Sequence, residues 1–219
     1  MEKEVENMKN VNFKEVLMGR HSVKNYDTSV KISKEEMTEM LAEAMSAPSA
    51  INSQSYHFVV IDTPEGKEKM AELSKMNINQ IATSSAVLAV FGDKKFSEKL
   101  DMIYNNSVEQ GFMSEDMKNK LLPRFKEFVD YLDTNKPEPD LRDWLLIDAS
   151  LVSMQFMLVA RAYGYDTNPI GGYNKENIEE AFGLEKERYV PVIIITIGKA
   201  AAEGRPSYRL PVDTITTWK

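Results

Sequence analysis

The chain has 219 residues, 42% hydrophobic and 28% charged, with a formal net charge of −7 and a pI near 5.1. That composition supplies one large buried core in a soluble globular domain, and its sign disfavours a surface that gathers nucleic acid. Cysteine is absent and only His21 and His57 represent histidine, which excludes disulfides, thiolate catalysis and cysteine-ligated zinc or iron–sulfur centres, and disfavours a histidine-rich metal site.

The opening MEKEVENMKN is charged and lacks the apolar core of a secretory signal, which points to a reducing cytoplasm. Residues 1–19 read as a helix with Val11, Phe13, Val16 and Leu17 as its apolar stripe and Gly19 as its stop. Over 32–48, Ser33 and Glu36 form a capping-box pattern. Met37, Met40, Leu41, Ala44 and Met45 follow at helical spacing, and Pro48 ends the element. HFVVID (57–62) reads as a strand closed by Thr63-Pro64, PEGKEKMAELSK as a short helix, and SAVLAVFGD (85–93) as a buried strand, apolar without alternation. Residues 94–133 read as helical and highly charged. DTNKPEPD (133–140) reads as a surface loop rather than a linker, because the element after it is too apolar to stand in a separate domain.

That element, 143–164, is apolar nearly all round and so must be covered on every side. Asp148, Ser150, Ser153 and Gln155 interrupt it and disfavour a membrane span. A central core helix, available for sharing with a second subunit, is the better reading. Gly164 caps it. A strand then runs from 165 into a Gly-Gly turn, a helix covers 174–183, and a β-branched strand covers 188–200. The tail, 204–219, has two prolines and an apolar end with Ile215 and Trp218. It has no core of its own to join and fits an arm laid across a partner. The thirteen methionines fall mostly at helical spacing, as core filler rather than copper ligands. Internal repeats and low-complexity tracts are absent.

Three stretches hold residues suited to chemistry. In RHSVKNYD (20–27), Arg20, Ser22 and Lys24 of an extended segment point the same way, and the stretch reads equally as an anion clamp or a solvated basic turn. In APSAINSQSYHF (47–58), Ser49, Asn52 and Gln54 can hydrogen-bond a heteroaromatic ring or a polyol, although ordinary turn chemistry explains them as well. In NPIGGY (168–173), two glycines let backbone N–H groups approach a ligand, or simply make a tight turn. Neither a G-x-G-x-x-G nor a Walker motif occurs, and no nucleophile elbow places the Ser, His and Asp residues.

In their order, R-H-S-x-K, A-P-S-x-x-N-S-Q, N-P-I-G-G and a final R-L-P, these stretches resemble the FMN-dependent nitroreductase family. The likeness is greatest to its oxygen-insensitive nitroreductase and dihydropteridine reductase branch. It runs over most of the chain and is weakest from about 95 to 140. The resemblance implies an α+β layered fold over 1–219 with a mixed, mostly antiparallel sheet flanked by helices. It also implies an intertwined homodimer with FMN at the subunit interface, 94–140 as a variable helical insertion or lid, and 204–219 as an arm onto the partner. It assigns Arg20, His21, Ser22 and Lys24 to the flavin's phosphate, ribityl chain and pyrimidine edge. Pro48, Ser49, Ala50 and Asn52 would come from the opposite subunit, Gln54 would also bind the cofactor, and Asn77 and Gln80 would meet the pyrimidine ring. Pro169, Ile170, Gly171 and Gly172 would flank the reactive centre, Arg209 would bind phosphate, and Arg205 and Lys199 would help. Two departures stand out. Gly171 occupies a position where the close branch often has glutamate, and Ser55 and Tyr56 replace Pro and Trp beside the ring.

The implied activity is ping-pong transfer of two electrons from NADH or NADPH to nitroaromatics, quinones or related acceptors. Lys24 would tune the reduced flavin, and no side chain is assigned as general acid. No metal, nucleic acid or membrane is implied. Other readings of the same fold are reductive dehalogenation, enone reduction, flavin destruction and a flavin-binding sensor without turnover. A purely structural dimeric helical protein is the alternative outside flavin chemistry.

Overall fold

The computed structural model describes residues 12–135 and 140–219. Val11 and the start of the expected N-terminal helix lie outside the described residues, as do positions 136–139 of the expected loop. The central strand explains the layering. β2 (Ala86–Asp93) is buried at all of its positions, because both of its faces are covered. It lies between β1 (Tyr56–Ile61) and β4 (Tyr189–Gly198), and β3 (Asp166–Ile170) pairs with the far side of β4, giving the order β1-β2-β4-β3. Every pair is antiparallel, with Tyr56 opposite Gly92, Leu88 opposite Ile195 and Ile170 opposite Ile194. The parallel component expected of the sheet is confined to one bridge, Ser22 with Thr167, beside edge strand β3.

Side-chain alternation along β2 sends Leu88 and Val90 to one face, and Val87, Ala89 and Phe91 to the other. On the first face they meet Met37 and Met40 of α2 (Lys34–Ala44) and Val152 and Phe156 of α7 (Asp140–Ala162). On the second they meet Met70 of α3 (Pro64–Leu73), Ile81 of α4 (Ile78–Thr83) and Ile178 of α8 (Ile178–Ala181). A third cluster, with Phe96, Leu100 and Tyr104, Val129 and Leu145, ties α5 (Leu100–Glu109) and α6 (Glu115–Asn135) to the first half of α7.

Several boundaries differ from the sequence reading, each for a local reason. Ser33 accepts the Glu36 N–H at 3.1 Å, but the Glu36 carboxylate accepts from Tyr165 Oη at 2.8 Å, so only half of the capping box is seen. α2 ends at Ala44, ahead of Pro48. The segment expected to be helical over 94–133 is a 3₁₀ turn, α5, a reversal at Gly111 with φ of +74°, and then α6. α4 was not anticipated: six residues without a side-chain cap carry little periodic signal. The helix expected over 174–183 shrinks to the four residues of α8. Gly164 does reverse the chain after α7, at φ +84°, and Lys199 Nζ donates to its carbonyl at 3.0 Å.

α7 is long and apolar enough to cross a membrane by composition alone. Here Leu145, Ala149, Val152 and Phe156 are buried in the core, while Ile147, Leu151 and Met154 remain exposed along another face of this chain. Close approach of α7 to β2 depends on Gly92, since a Cβ there would stand 2.6 Å from Leu145 Cβ. Gly92→Ala is expected to cost about 2 kcal/mol, seen as a fall of roughly 6 °C in thermal midpoint. An unchanged midpoint would contradict that packing.

β2 ends on a buried charge. Asp93 receives Arg188 Nε at 2.9 Å and Nη2 at 3.0 Å, with Lys99 Nζ at 3.3 Å. Burial alone would raise the Asp93 carboxyl, but the Arg188 hydrogen bonds, with the charges of Lys99 and Arg188, hold it below its ordinary value. His57, its ring tilted at 38° against Tyr189, is lowered mainly by its own burial; Asp93 opposes that shift, and Lys99 and Arg188 add to it. Both groups therefore bind protons more readily in the unfolded chain. The stability from His57 is complete above 6.5, its ordinary value, and is lost as the pH falls below that. The stability from Asp93 is lost only below its ordinary 3.8. The thermal midpoint should be level at neutral pH, decline below 6.5 and fall again below 3.8. His57→Gln should remove the first decline, and a midpoint that rose on acidification would contradict both assignments.

Candidate functional site

The segment 20–27 is held in extended form against β3. Val23 N–H donates to the Thr167 carbonyl at 3.1 Å, and buried Tyr26 places its hydroxyl 2.8 Å from Thr196 Oγ1. With Val23 pinned inward, alternation turns Ser22 and Lys24 outward, and both are exposed. Asn79 Nδ2 donates to the Lys24 carbonyl at 2.7 Å, fixing this strip to α4. Among the described residues, neither Arg20 nor Lys24 is paired with a carboxylate. His21 Nδ1 donates to the Gly19 carbonyl at 2.9 Å, which assigns the proton to that nitrogen. The same ring borders a cavity of about 530 Å³ that also involves Arg161, Asp166 and Gly204.

Two further groups of expected residues join this strip. Asn77 Nδ2 donates to Ser74 Oγ at 3.0 Å and reaches the Gly172 carbonyl at 3.4 Å, which Ser74 Oγ also approaches at 3.1 Å. Gln80 Nε2 donates to Asn77 Oδ1 at 3.2 Å. The strip Arg20 to Lys24, Asn77 and Asn79, and the turn after β3 are thus linked side by side, with Gln80 buried behind Asn77. At that turn Ile170 is in the core, Pro169 is half-buried, and Gly171 and Gly172 are exposed. A Cβ on either glycine would meet nothing within 4 Å, and neither has a positive φ. Among the described residues, neither packing nor backbone conformation calls for glycine at these two positions.

The second group sits elsewhere. Residues 48–55 lead into β1, at the opposite edge of the sheet from β3, three strand intervals or roughly 14 Å away. The loop is tightly built. Ile51, Asn52 and Gln54 have φ of 51°, 53° and 46°, left-handed values that side chains rarely adopt. Asp148 of α7 accepts the Ala50 N–H at 3.0 Å, Ser53 Oγ at 3.0 Å and Ser55 Oγ at 2.7 Å. Ser49 Oγ accepts the Gln54 N–H at 3.1 Å, while Tyr104 Oη and Lys99 Nζ each donate at 2.9 Å to the Ile51 and Gln54 carbonyls. Pro48, Ala50 and Asn52 are left exposed, and Ser49 and Gln54 half-buried. Ser55 and Tyr56, the two departures from the family pattern, are both buried. The Tyr56 hydroxyl is pushed up to about 12 by burial and by the nearby Asp148 charge.

The remaining cations are not gathered in. Lys199 Nζ is engaged with Gly164. Among the described residues, Arg209 bonds only within its own tail, to Ser207 Oγ at 2.6 Å and the Tyr208 carbonyl at 3.2 Å. Arg205 is exposed at the start of that tail, just after Gly204 presses on His21. Ser74, Asn79 and Asp148 were not singled out as site residues from the sequence. Asp148 carries a signal in the sequence, an acid in the middle of an apolar helix, but there it bears only on the membrane reading.

The Nitroreductase family profile matches residues 17–199, and the chain belongs to that family. It is 55% identical over 212 residues to YdgI of Bacillus subtilis (strain 168), designated an NAD(P)H nitroreductase, with 97% of this chain and 100% of that one aligned. It is 38% identical over 217 residues to the CLA biosynthesis enone reductase of Lactiplantibacillus plantarum, covering 99% and 98% of the two chains. A nitroreductase from Exiguobacterium sibiricum 255-15, crystallised in complex with FMN, superposes with a TM-score of 0.92 at 53% identity, covering 96% of this chain and 99% of that one.

Proposed function

We propose that this protein is an FMN-dependent NAD(P)H oxidoreductase of the nitroreductase type, a cytoplasmic homodimer that reduces nitroaromatics, quinones or related acceptors by a ping-pong cycle. One observation carries the reading: Arg20 and Lys24, neither paired with a carboxylate among the described residues, the Asn77 amide with buried Gln80 bonded behind it, and a glycine pair that no described neighbour crowds lie along one connected strip. These residue types fit a flat, partly anionic heteroaromatic cofactor. Arg20, with Arg209 from the tail, suits a phosphate, and Ser22 suits the ribityl chain. Asn77 and Gln80 suit the pyrimidine edge, and Gly171 and Gly172 leave room for a ring to lie close to backbone.

When bound, FMN supplies the two-electron redox chemistry between nicotinamide and acceptor. The protein's part is positional and electrostatic. Lys24 would offer a cation to the bound cofactor, and the glycine pair would leave room beside it for donor and acceptor. No side chain is needed as general acid if solvent supplies protons.

The dimer is supported by three features. Site residues divide between opposite edges of the sheet. Ile147, Leu151 and Met154 leave an apolar stripe on α7 exposed. The tail exposes Tyr208, Leu210, Val212, Ile215 and Trp218 with no core of its own, as an arm onto a second copy would. A lid role for 94–140 is supported by exposed Met102, Phe112 and Met117.

Purified protein, reconstituted with FMN if necessary, should be yellow and should bleach anaerobically on addition of NADH or NADPH. Protein that stays colourless in excess FMN contradicts the reading, and yellow protein that neither nicotinamide bleaches would be a sensor. Enone reduction is the second reading, favoured by the 38% identity to the enone reductase. An acceptor panel containing a conjugated enone separates the two.

A further inference from the structure

We propose that Asp148 is a positioning residue for the cofactor site: from within α7 it holds the 48–55 loop in the strained shape that presents Pro48, Ala50 and Asn52 outward. This rests on the reading of that loop as part of the FMN site. Asp148 is 1% exposed and faces no cationic partner among the described residues. Its carboxylate is satisfied entirely by the loop, through the Ala50 N–H, Ser53 Oγ and Ser55 Oγ. A buried anion without a counter-ion is costly unless hydrogen bonds replace its water. The loop supplies three such donors and receives its shape in return.

The need for an external clamp is visible in the backbone. Ile51, Asn52 and Gln54 all hold left-handed φ values, and a β-branched residue such as Ile51 strongly resists that conformation. Strain of this kind persists only where surroundings over-determine it. The Asp148 bonds bracket the strained residues, with Ala50 before them, Ser53 among them and Ser55 after. Ser55 is thereby given a role that its burial beside Tyr56 otherwise leaves unexplained.

The test compares Asp148→Asn, Ser53→Ala and a control, Val152→Ala. The control empties a fully buried position of the same helix whose apolar side chain belongs to the core cluster with Met40 and Phe156 and makes no hydrogen bond to the loop. Thermal midpoint, FMN dissociation constant and hydrogen exchange at the Ala50 and Gln54 amides are measured for each. Asp148→Asn should weaken FMN binding about tenfold and accelerate exchange at both amides in the FMN-free protein. Ser53→Ala should do the same to a smaller degree. Val152→Ala should lower the midpoint with FMN affinity and loop exchange unchanged. Equal loss of FMN affinity in Val152→Ala and Asp148→Asn would overturn the proposal, as would unchanged loop exchange in both loop variants. The exchange measurement needs no cofactor, so failure of the wild-type protein to bind FMN would strike the functional reading and leave the clamp itself separately judged.

Discussion

Lys24→Met is expected to slow reduction of the bound flavin by NAD(P)H by about a hundredfold, and to lower the flavin's potential. The expectation comes from how the side chain is held. Its backbone is fixed by the Val23 bond to Thr167 and by Asn79 on its own carbonyl, while its ammonium has no carboxylate among the described residues. A cation without a carboxylate partner among the described residues is screened by solvent while exposed, and its field on a neighbouring charge grows once a bound cofactor covers it. Anaerobic stopped-flow reduction and a reference-dye titration read the two effects. Lys24→Arg should recover part of both, because it keeps the charge and changes the shape. A Met variant with the wild-type potential would remove Lys24 from the role of tuning the cofactor.

Arg188→Met should have the largest effect on stability, about 3 kcal/mol. For a chain of this size that is roughly 9 °C in thermal midpoint. Asp93 is 2% exposed, and its two oxygens each take a hydrogen bond from the Arg188 guanidinium, which is itself only partly buried. Removing the arginine leaves a buried carboxylate with the Lys99 ammonium at 3.3 Å and the Lys95 N–H at 3.0 Å. The estimate sits at the lower end of the range for broken buried pairs because those two partners remain. Asp93→Asn in the same background should restore part of the loss, since an amide needs no counter-ion. If the double variant were no more stable than Arg188→Met, charge burial would not be the cause.

The sequence carried most of the core and less of the site. β2 and α7 were readable because burial on both sides erases alternation, leaving long apolar runs at 85–93 and 143–164. The outward turn of Ser22 and Lys24 was readable because one buried valine between them sets the phase. What lay out of reach depended on contacts distant in sequence. Ser74 and Asn77 reach the Gly172 carbonyl across nearly a hundred residues, and Asp148 meets Ser53 and Ser55 over a similar span. The short helix α4, which carries Asn79 and Gln80, has no cap and no apolar period to announce it. The left-handed run at Ile51 and Asn52 was also hidden. Isoleucine is among the last residues that turn chemistry would place there, and it is held by bonds to Asp148, Tyr104 and Lys99 that lie far away in sequence.

The central claim is that two copies of this chain build each cofactor site jointly, one giving the Arg20–Lys24 surface and the other the 48–54 loop. Co-expression of an Arg20→Glu chain with an Ala50→Trp chain, each carrying a different affinity tag, tests it most directly. Each variant alone should purify without flavin. In the hybrid, one site carries both defects and the other carries neither, so the account predicts one FMN for every two chains and recovered NAD(P)H oxidation. A hybrid as colourless as its parents would mean that each site draws both groups from a single chain, and would contradict the account.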